Sequence, residues 1–250
     1  MVEFKAALIN ELEKLYKKKK ALVGIILALF FIIIGQIFIS LVRSNFGVQG
    51  VSSNEFPFLI LSIIINTLLP LFVALVTIDS FSGEFSKNTM KIVLTRPVSR
   101  LKLFSAKIAS IVIFIFSILM LTMIFSIISG LIFNANSFSF IGILEIILSY
   151  VVTLFPMIVL CLMIALFTNI IKSEVGVFFF SILVFIGLKA LGIFFSAYSG
   201  LIFTSMLSWY NLWIMDTIPV FKIFRQFMML LSYAIILFTG GYLLFDRKDF

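Results

Sequence analysis

The chain has 250 residues, 62% of them hydrophobic and 12% charged, with a formal net charge of +8 and a mean hydropathy of +1.26. A water-soluble domain of this length has too little interior to hide so much apolar surface, so composition excludes a soluble protein and requires lipid as solvent. With no histidine and one cysteine, Cys161, an internal disulfide is excluded and a zinc or haem centre has no ligand set.

Residues 1–20 repeat Phe4, Leu8, Leu12 and Leu15 at helical spacing, with Glu3, Glu11, Glu13 and Lys14 on the other faces, and end in four lysines, Lys17 to Lys20. That pattern predicts an interfacial helix on the cytoplasmic leaflet. Long unbroken runs of Ile, Leu, Phe and Val follow, unlike the short alternating strands of an outer-membrane barrel. They predict six transmembrane helices at about 21–42, 57–78, 108–133, 141–167, 175–195 and 228–245, near the roughly 20 residues that a 30 Å hydrocarbon core requires. The first run is too long for a signal-peptide core and is expected to stay as a span. Between the last two spans, the largely apolar residues 201–215 carry Trp209, Tyr210 and Trp213, which predicts an outer segment partly embedded in the membrane. No linker or repeat divides 1–250, so the chain is expected to form a single transmembrane domain of all-α class.

Orientation follows from Lys and Arg. With the N-terminus inside, fifteen of these residues fall in cytoplasmic segments, and only Arg43, Lys222 and Arg225 fall outside, Lys189 lying within a span. The positive-inside rule then places both termini in the cytoplasm. Because the positive charge gathers at the ends of apolar runs, it speaks for membrane topology and against a nucleic-acid partner.

The most informative stretch is the loop after the second span. Asp79 and Glu84 stand just past the span end, and a short amphipathic helix is expected from about Phe81 to Leu94. Its apolar residues Phe81, Phe85, Ile92 and Val93 would face the membrane domain, leaving Glu84, Lys87 and Lys91 for a partner. Pro97 stops it, since the residue before proline is pushed out of helical geometry.

The order Asp79, Gly83-Glu84, Thr89, then Leu94-Thr95-Arg96-Pro97-Val98-Ser99-Arg100 and Lys107 resembles the ABC-2 type membrane permeases of ATP-binding cassette transporters. The closing Phe245-Asp246-Arg247-Lys248-Asp249-Phe250 is also similar to that family's ending, while Asn88-Thr89 stands where many members have Gly-Thr. The resemblance implies a cytoplasmic coupling helix at 79–96 seated on a separate ABC ATPase subunit, present in two copies. Asp79, Gly83, Glu84, Thr89, Arg96, Pro97, Ser99 and Arg100 would be the ATPase-coupling residues. It also implies a second permease copy, as a homodimer, in a bacterial plasma membrane. ATP and Mg would belong to the partner subunit, because this chain has no G-x-x-x-x-G-K-[ST] phosphate loop.

Ionisable and polar groups inside spans usually face a bundle interior. Glu145 and Lys189 are expected at similar depths, as a possible intramembrane ion pair within or between subunits, with separate snorkelling as the alternative. Asn66 and Thr67, with Phe178, Phe185 and Lys189, are candidates for the translocation path implied by the resemblance. Helix–helix hydrogen bonding and a simple kink at Pro70 are the structural alternative. A path lined by Phe, Ile and Met would suit an amphipathic or hydrophobic substrate such as a peptide or drug. A membrane channel or structural membrane partner, which would not need the 79–107 pattern, and an intramembrane enzyme, for which Glu145 and Lys189 are the only intramembrane ionisable candidates, are the competing readings.

Overall fold

Apolar runs without breakers become long helices, because a backbone in lipid must satisfy its own hydrogen bonds. The computed structural model describes residues 2–46, 51–86, 98–134, 139–171 and 173–247, and every regular element among them is helical. In chain order these are α1 (Val2–Lys17), α2 (Lys19–Phe46), α3 (Glu55–Asn66), α4 (Leu68–Ser86), α5 (Arg100–Phe133), α6 (Phe140–Ile170) and α7 (Glu174–Phe194). Two 3₁₀ helices, Ser196–Leu201 and Phe203–Trp213, and then α8 (Val220–Asp246) complete them. Helices α2, α5, α6, α7 and α8 are each long and apolar enough to cross a membrane, and the bent pair α3–α4 supplies a sixth crossing. The architecture is the all-α membrane fold that composition predicts.

Serine sets where three of these helices begin. Ser99, Ser139 and Ser173 accept backbone N–H groups from Lys102, Gly142 and Gly176 at 3.4, 3.4 and 3.2 Å. Each satisfies a donor that the first helical turn leaves without a partner. The Ser99 cap starts α5 at Arg100, well ahead of the predicted span edge near 108. At 34 residues, α5 rises about 51 Å, which exceeds the hydrocarbon thickness and carries its first turns beyond it.

Helices α4 and α6 form the interior. Of residues 68–83 only Leu71 and Leu75 are exposed, and 67% of the most apolar stretch of α6 is buried, against 11% for α7 and for α8. Thr77 of α4 donates to the buried Cys161 sulfur of α6 at 3.5 Å. The outer helices α2, α7 and α8 keep broad apolar faces uncovered, as helices surrounded by lipid do.

Two expected elements gain detail. Helix α1 forms, but it lies lengthwise along the first half of α5, and its buried face is centred on Ala7, Glu11 and Leu15. Glu11 was expected away from the apolar face of Phe4, Leu8, Leu12 and Leu15. The segment between the last two spans coils into 3₁₀ turns that tuck against α6, with Trp209 and Tyr210 buried. Its aromatic residues pack internally: Trp209 meets Phe155 and Phe227 at ring separations of 5.9 and 6.2 Å.

Close approach at the end remote from residues 79–107 depends on glycine. A Cβ on Gly130 of α5 would stand 2.7 Å from the Ser53 carbonyl oxygen, a backbone atom that cannot swing aside. At Gly187 of α7 nothing lies within 4 Å. Gly130→Val is therefore expected to lower the stability of the detergent-solubilised protein by about 1–3 kcal/mol through overpacking, whereas Gly187→Ala leaves its melting temperature unchanged or higher. Equal effects at the two positions would contradict this packing.

Candidate functional site

The residues expected to couple to a partner begin inside α4. That helix runs on to Ser86, so Asp79, Ser80, Phe81 and Gly83 are its last turns, and as far as Ser86 no separate helix starts near Phe81. The reason is packing. Phe81 has no exposed surface, and its ring lies 5.5 Å from that of Phe104 and 6.2 Å from that of Phe245. Thr89, Arg96 and Pro97 lie outside the described residues, as does the side chain of Glu84. Ser99 is the cap of α5, and the Arg100 guanidinium donates to the Asp246 carbonyl, tying the start of α5 to the end of α8.

Charges hold this end together. Lys107 of α5 is wholly buried and pairs at 3.0 Å with Glu11 of α1, whose side chain is 4% exposed. The same ammonium donates to the Ser80 carbonyl at 2.9 Å and stands 5.9 Å from the Phe81 ring centroid, a cation–π arrangement. Glu11 also accepts from Lys14 at 2.7 Å. Beside this cluster, Lys18 reaches Asp79 at 2.7 Å, and the Asp79 side chain is only 12% exposed. Gly83 leaves room for two carboxylates: a Cβ there would stand 3.1 Å from Asp79 Oδ1 and 3.9 Å from Glu174 Oε1. At the rim, Lys102 bonds Glu3 at 2.8 Å and holds that exposed carboxyl below its ordinary pKa, chiefly through the hydrogen bond and then through its charge. Sequence reasoning missed Glu11. Its position midway between Ala7 and Leu15, one helical turn from each, is the signal that was available.

A second polar group lies mid-bundle, at a break in the second span. Helices α3 and α4 meet at Thr67 with a 47° bend, three residues ahead of Pro70. Proline has no N–H to offer the carbonyl four residues back, and its ring crowds that carbonyl, so the helix gives way at Asn66–Thr67 and not at Pro70 itself. Side chains compensate for the lost regular bonding. Asn66 Nδ2 donates to Ser62 O at 2.8 Å and Thr67 Oγ1 to Ile63 O at 2.7 Å. The Asn66 amide oxygen then accepts from Lys189 of α7 at 2.9 Å.

This break opens a cavity of about 220 Å³ lined by Asn66, Thr67, Pro70, Ser181 and Phe185, with apolar residues of α4, α6 and α7. The Ser181 hydroxyl is buried there with no hydrogen-bond partner among the described residues. Four of the five path candidates thus gather at one place, Lys189 through its bond to Asn66. Phe178 sits about a turn nearer the start of α7, outside the lining, with its ring against Phe179.

The Glu145–Lys189 pair does not form within the chain. Glu145 stands 25 residues before the end of α6, while Lys189 stands 15 residues after the start of α7. At 1.5 Å per residue their heights differ by about 15 Å, and the Lys189 ammonium is engaged by Asn66 instead.

Residues 7–187 match the model of a family described as ABC-2 family transporter protein, which runs from within α1 to most of α7 and includes the Glu11–Lys107 pair and the broken span. The chain belongs to this ABC-2 transporter family. With its several helices long and apolar enough to cross a membrane, it is a multi-pass membrane protein of that family. It is also similar to the uncharacterized membrane protein YdbK of Bacillus subtilis (strain 168), at 30% identity over 125 residues. That match covers 50% of this chain and 49% of YdbK, so the chain spans about half the length of the curated relative it matches.

Breaking a buried ion pair on one side strands a charge, at about 3–5 kcal/mol, whereas replacing both partners by apolar groups is far milder. Glu11→Leu and Lys107→Met are each expected to destabilise the protein by several kcal/mol on that ground. The double variant is expected to be more stable than the worse single one. Thermal unfolding in detergent measures this, and a double variant showing the sum of the two losses would contradict the pairing.

Proposed function

We propose that the chain is the membrane subunit of an ABC exporter, with the end bearing residues 79–107 in the cytoplasm and a separate ATPase, in two copies, docked there. The observation that carries this reading is the cross-linking of α1, α4 and α5 at that end. A partner pressing on the segment after Gly83 would meet α4 already tied to α1 through Lys18–Asp79, and to α5 through the Lys107–Ser80 bond. Displacement then passes along α4 as a rigid rod to the break at Thr67. There the cavity bordered by Asn66, Ser181 and Phe185 would change shape against α3 and α7. ATP and Mg act in the partner chain, and Glu84 is its expected polar contact.

The cavity lining supports an amphipathic or hydrophobic substrate, such as a peptide or drug. Ile186, which borders the cavity, is 60% exposed, so one chain leaves its wall open. A second copy across α7, forming a homodimer, would close it. Both termini are then cytoplasmic, in keeping with the distribution of Lys and Arg, and the membrane is a bacterial plasma membrane.

Two outcomes are expected. Affinity purification of the tagged full chain from native membranes recovers a soluble ATPase with a phosphate-binding loop, and Glu84→Arg lowers its yield at least tenfold with the permease level unchanged. Recovery of no such ATPase, or insensitivity to Glu84→Arg, would falsify the docking reading. Separately, Pro70→Ala restores a donor for the Asn66 carbonyl and stiffens the break. It is expected to leave thermal stability equal or higher while reducing transport-linked ATP hydrolysis severalfold. Unchanged hydrolysis would remove the hinge from the mechanism.

A further inference from the structure

At the end of the bundle remote from residues 79–107, a cavity of about 610 Å³ opens between the 3₁₀ segment and the first turns of α8. Lys222 and Arg225, two of the three cations that the Lys/Arg pattern places on that side, both line it, and no acidic residue does. Neither cation has an ion-pair or hydrogen-bond partner among the described residues. Two further lining groups are buried with no hydrogen-bond partner among the described residues: the indole N–H of Trp209, 2% exposed, and the amide oxygen of Gln226, 9% exposed. Buried polar atoms are seldom left without partners, so each such atom calls for an explanation. The cavity also lies at the N-terminal end of α8, where the helix dipole favours negative charge.

Next to it, and sharing Arg225 and Met229 with it, an apolar groove runs over Phe221, Phe224 and Met228. Phe221 is 82% exposed. A cationic chamber continuous with an apolar groove matches a molecule with an anionic head and a hydrocarbon chain.

We propose that this cavity binds the phosphate head group of an anionic phospholipid, whose acyl chain lies in the groove along α8. Lys222, Arg225 and the Trp209 N–H meet the phosphate, and the Gln226 amide oxygen accepts from a head-group hydroxyl. This proposal does not rest on ATPase docking or transport, and its readouts involve neither.

The chain offers its own probe, because Trp209 and Trp213 are its only two tryptophans and their rings lie 5.5 Å apart beside the cavity. The full-length protein in neutral maltoside micelles is titrated with short-chain phosphatidylglycerol, phosphatidylcholine of equal chain length, and glycerol 1-phosphate. Native mass spectrometry counts bound lipid in parallel. The expected result is a saturable change in tryptophan emission and one retained phosphatidylglycerol, both weakened at least tenfold in Lys222→Gln/Arg225→Gln. Phosphatidylcholine and glycerol 1-phosphate are each expected to bind at least tenfold more weakly than phosphatidylglycerol. Equal binding of phosphatidylcholine, or no effect of the double variant, overturns the charge-based site. Glycerol 1-phosphate binding as tightly as the lipid overturns the lipid in favour of a soluble anion. Absence of both an emission change and a retained phosphatidylglycerol overturns the site altogether.

Discussion

A lysine with no exposed surface in a protein built for lipid has to be neutralised within hydrogen-bond reach, and Lys107 dictates how one end of this molecule is assembled. Its charge is met by Glu11, so α1 must lie along α5 with its acidic position turned inward. Its remaining donor capacity reaches the Ser80 carbonyl, so the end of α4 must come to the same place. Desolvating both ions costs several kcal/mol each before they attract one another. The cluster is therefore better understood as fixing which elements meet than as adding stability. An α1 lying free on a leaflet would leave Lys107 buried without Glu11.

From that anchor the physics runs outward along α4. The 19-residue helix covers about 20 Å between Ser80, in the charged cluster, and Thr67. It is buried on nearly every side against α5, α6 and α7, so it moves only if its neighbours move with it. The break at Thr67 is the weak point, because Pro70 removes one backbone bond while Asn66 and Thr67 replace regular bonding with side-chain bonds. Irregular backbone at membrane depth is tolerated where protein or a cavity surrounds it, and both conditions hold here. Lys189 completes the arrangement by fastening the end of α3 to α7.

How much of this the amino-acid sequence revealed divides along a physical line. Span number and the all-α class follow from hydropathy, which depends on each residue's own chemistry, and they were legible throughout. Serine caps and the effect of Pro70 are local, although the break appears at Thr67 because proline disturbs the residues that precede it. Pairing across the bundle was not legible. Glu11 and Lys107 are 96 residues apart, and nothing local in either says that they meet. Glu145 and Lys189 invited pairing on charge and estimated depth, yet within the chain an uncharged amide closer in height takes the lysine. The aromatic run at 203–213 was legible as an outer segment from residue type, but not which of its rings pack inward, as those of Trp209 and Tyr210 do.

The uneven distribution of burial carries the argument furthest. Helices α7 and α8, the least enclosed spans, border the two cavities with the most distinct chemistry, one apolar with a few neutral polar groups and the other cationic. A helix with protein on one face and an apolar surface on the other is free to shift without breaking a core, since lipid re-packs around it at little cost. The interior pair α4–α6 has no such freedom. Motion that reshapes either cavity is thus expected at α7 and α8, against a frame of α4, α5 and α6 held at one end by the Glu11–Lys107 cluster. In the proposed exporter, the ATPase would act on the frame, and the substrate would meet the mobile wall.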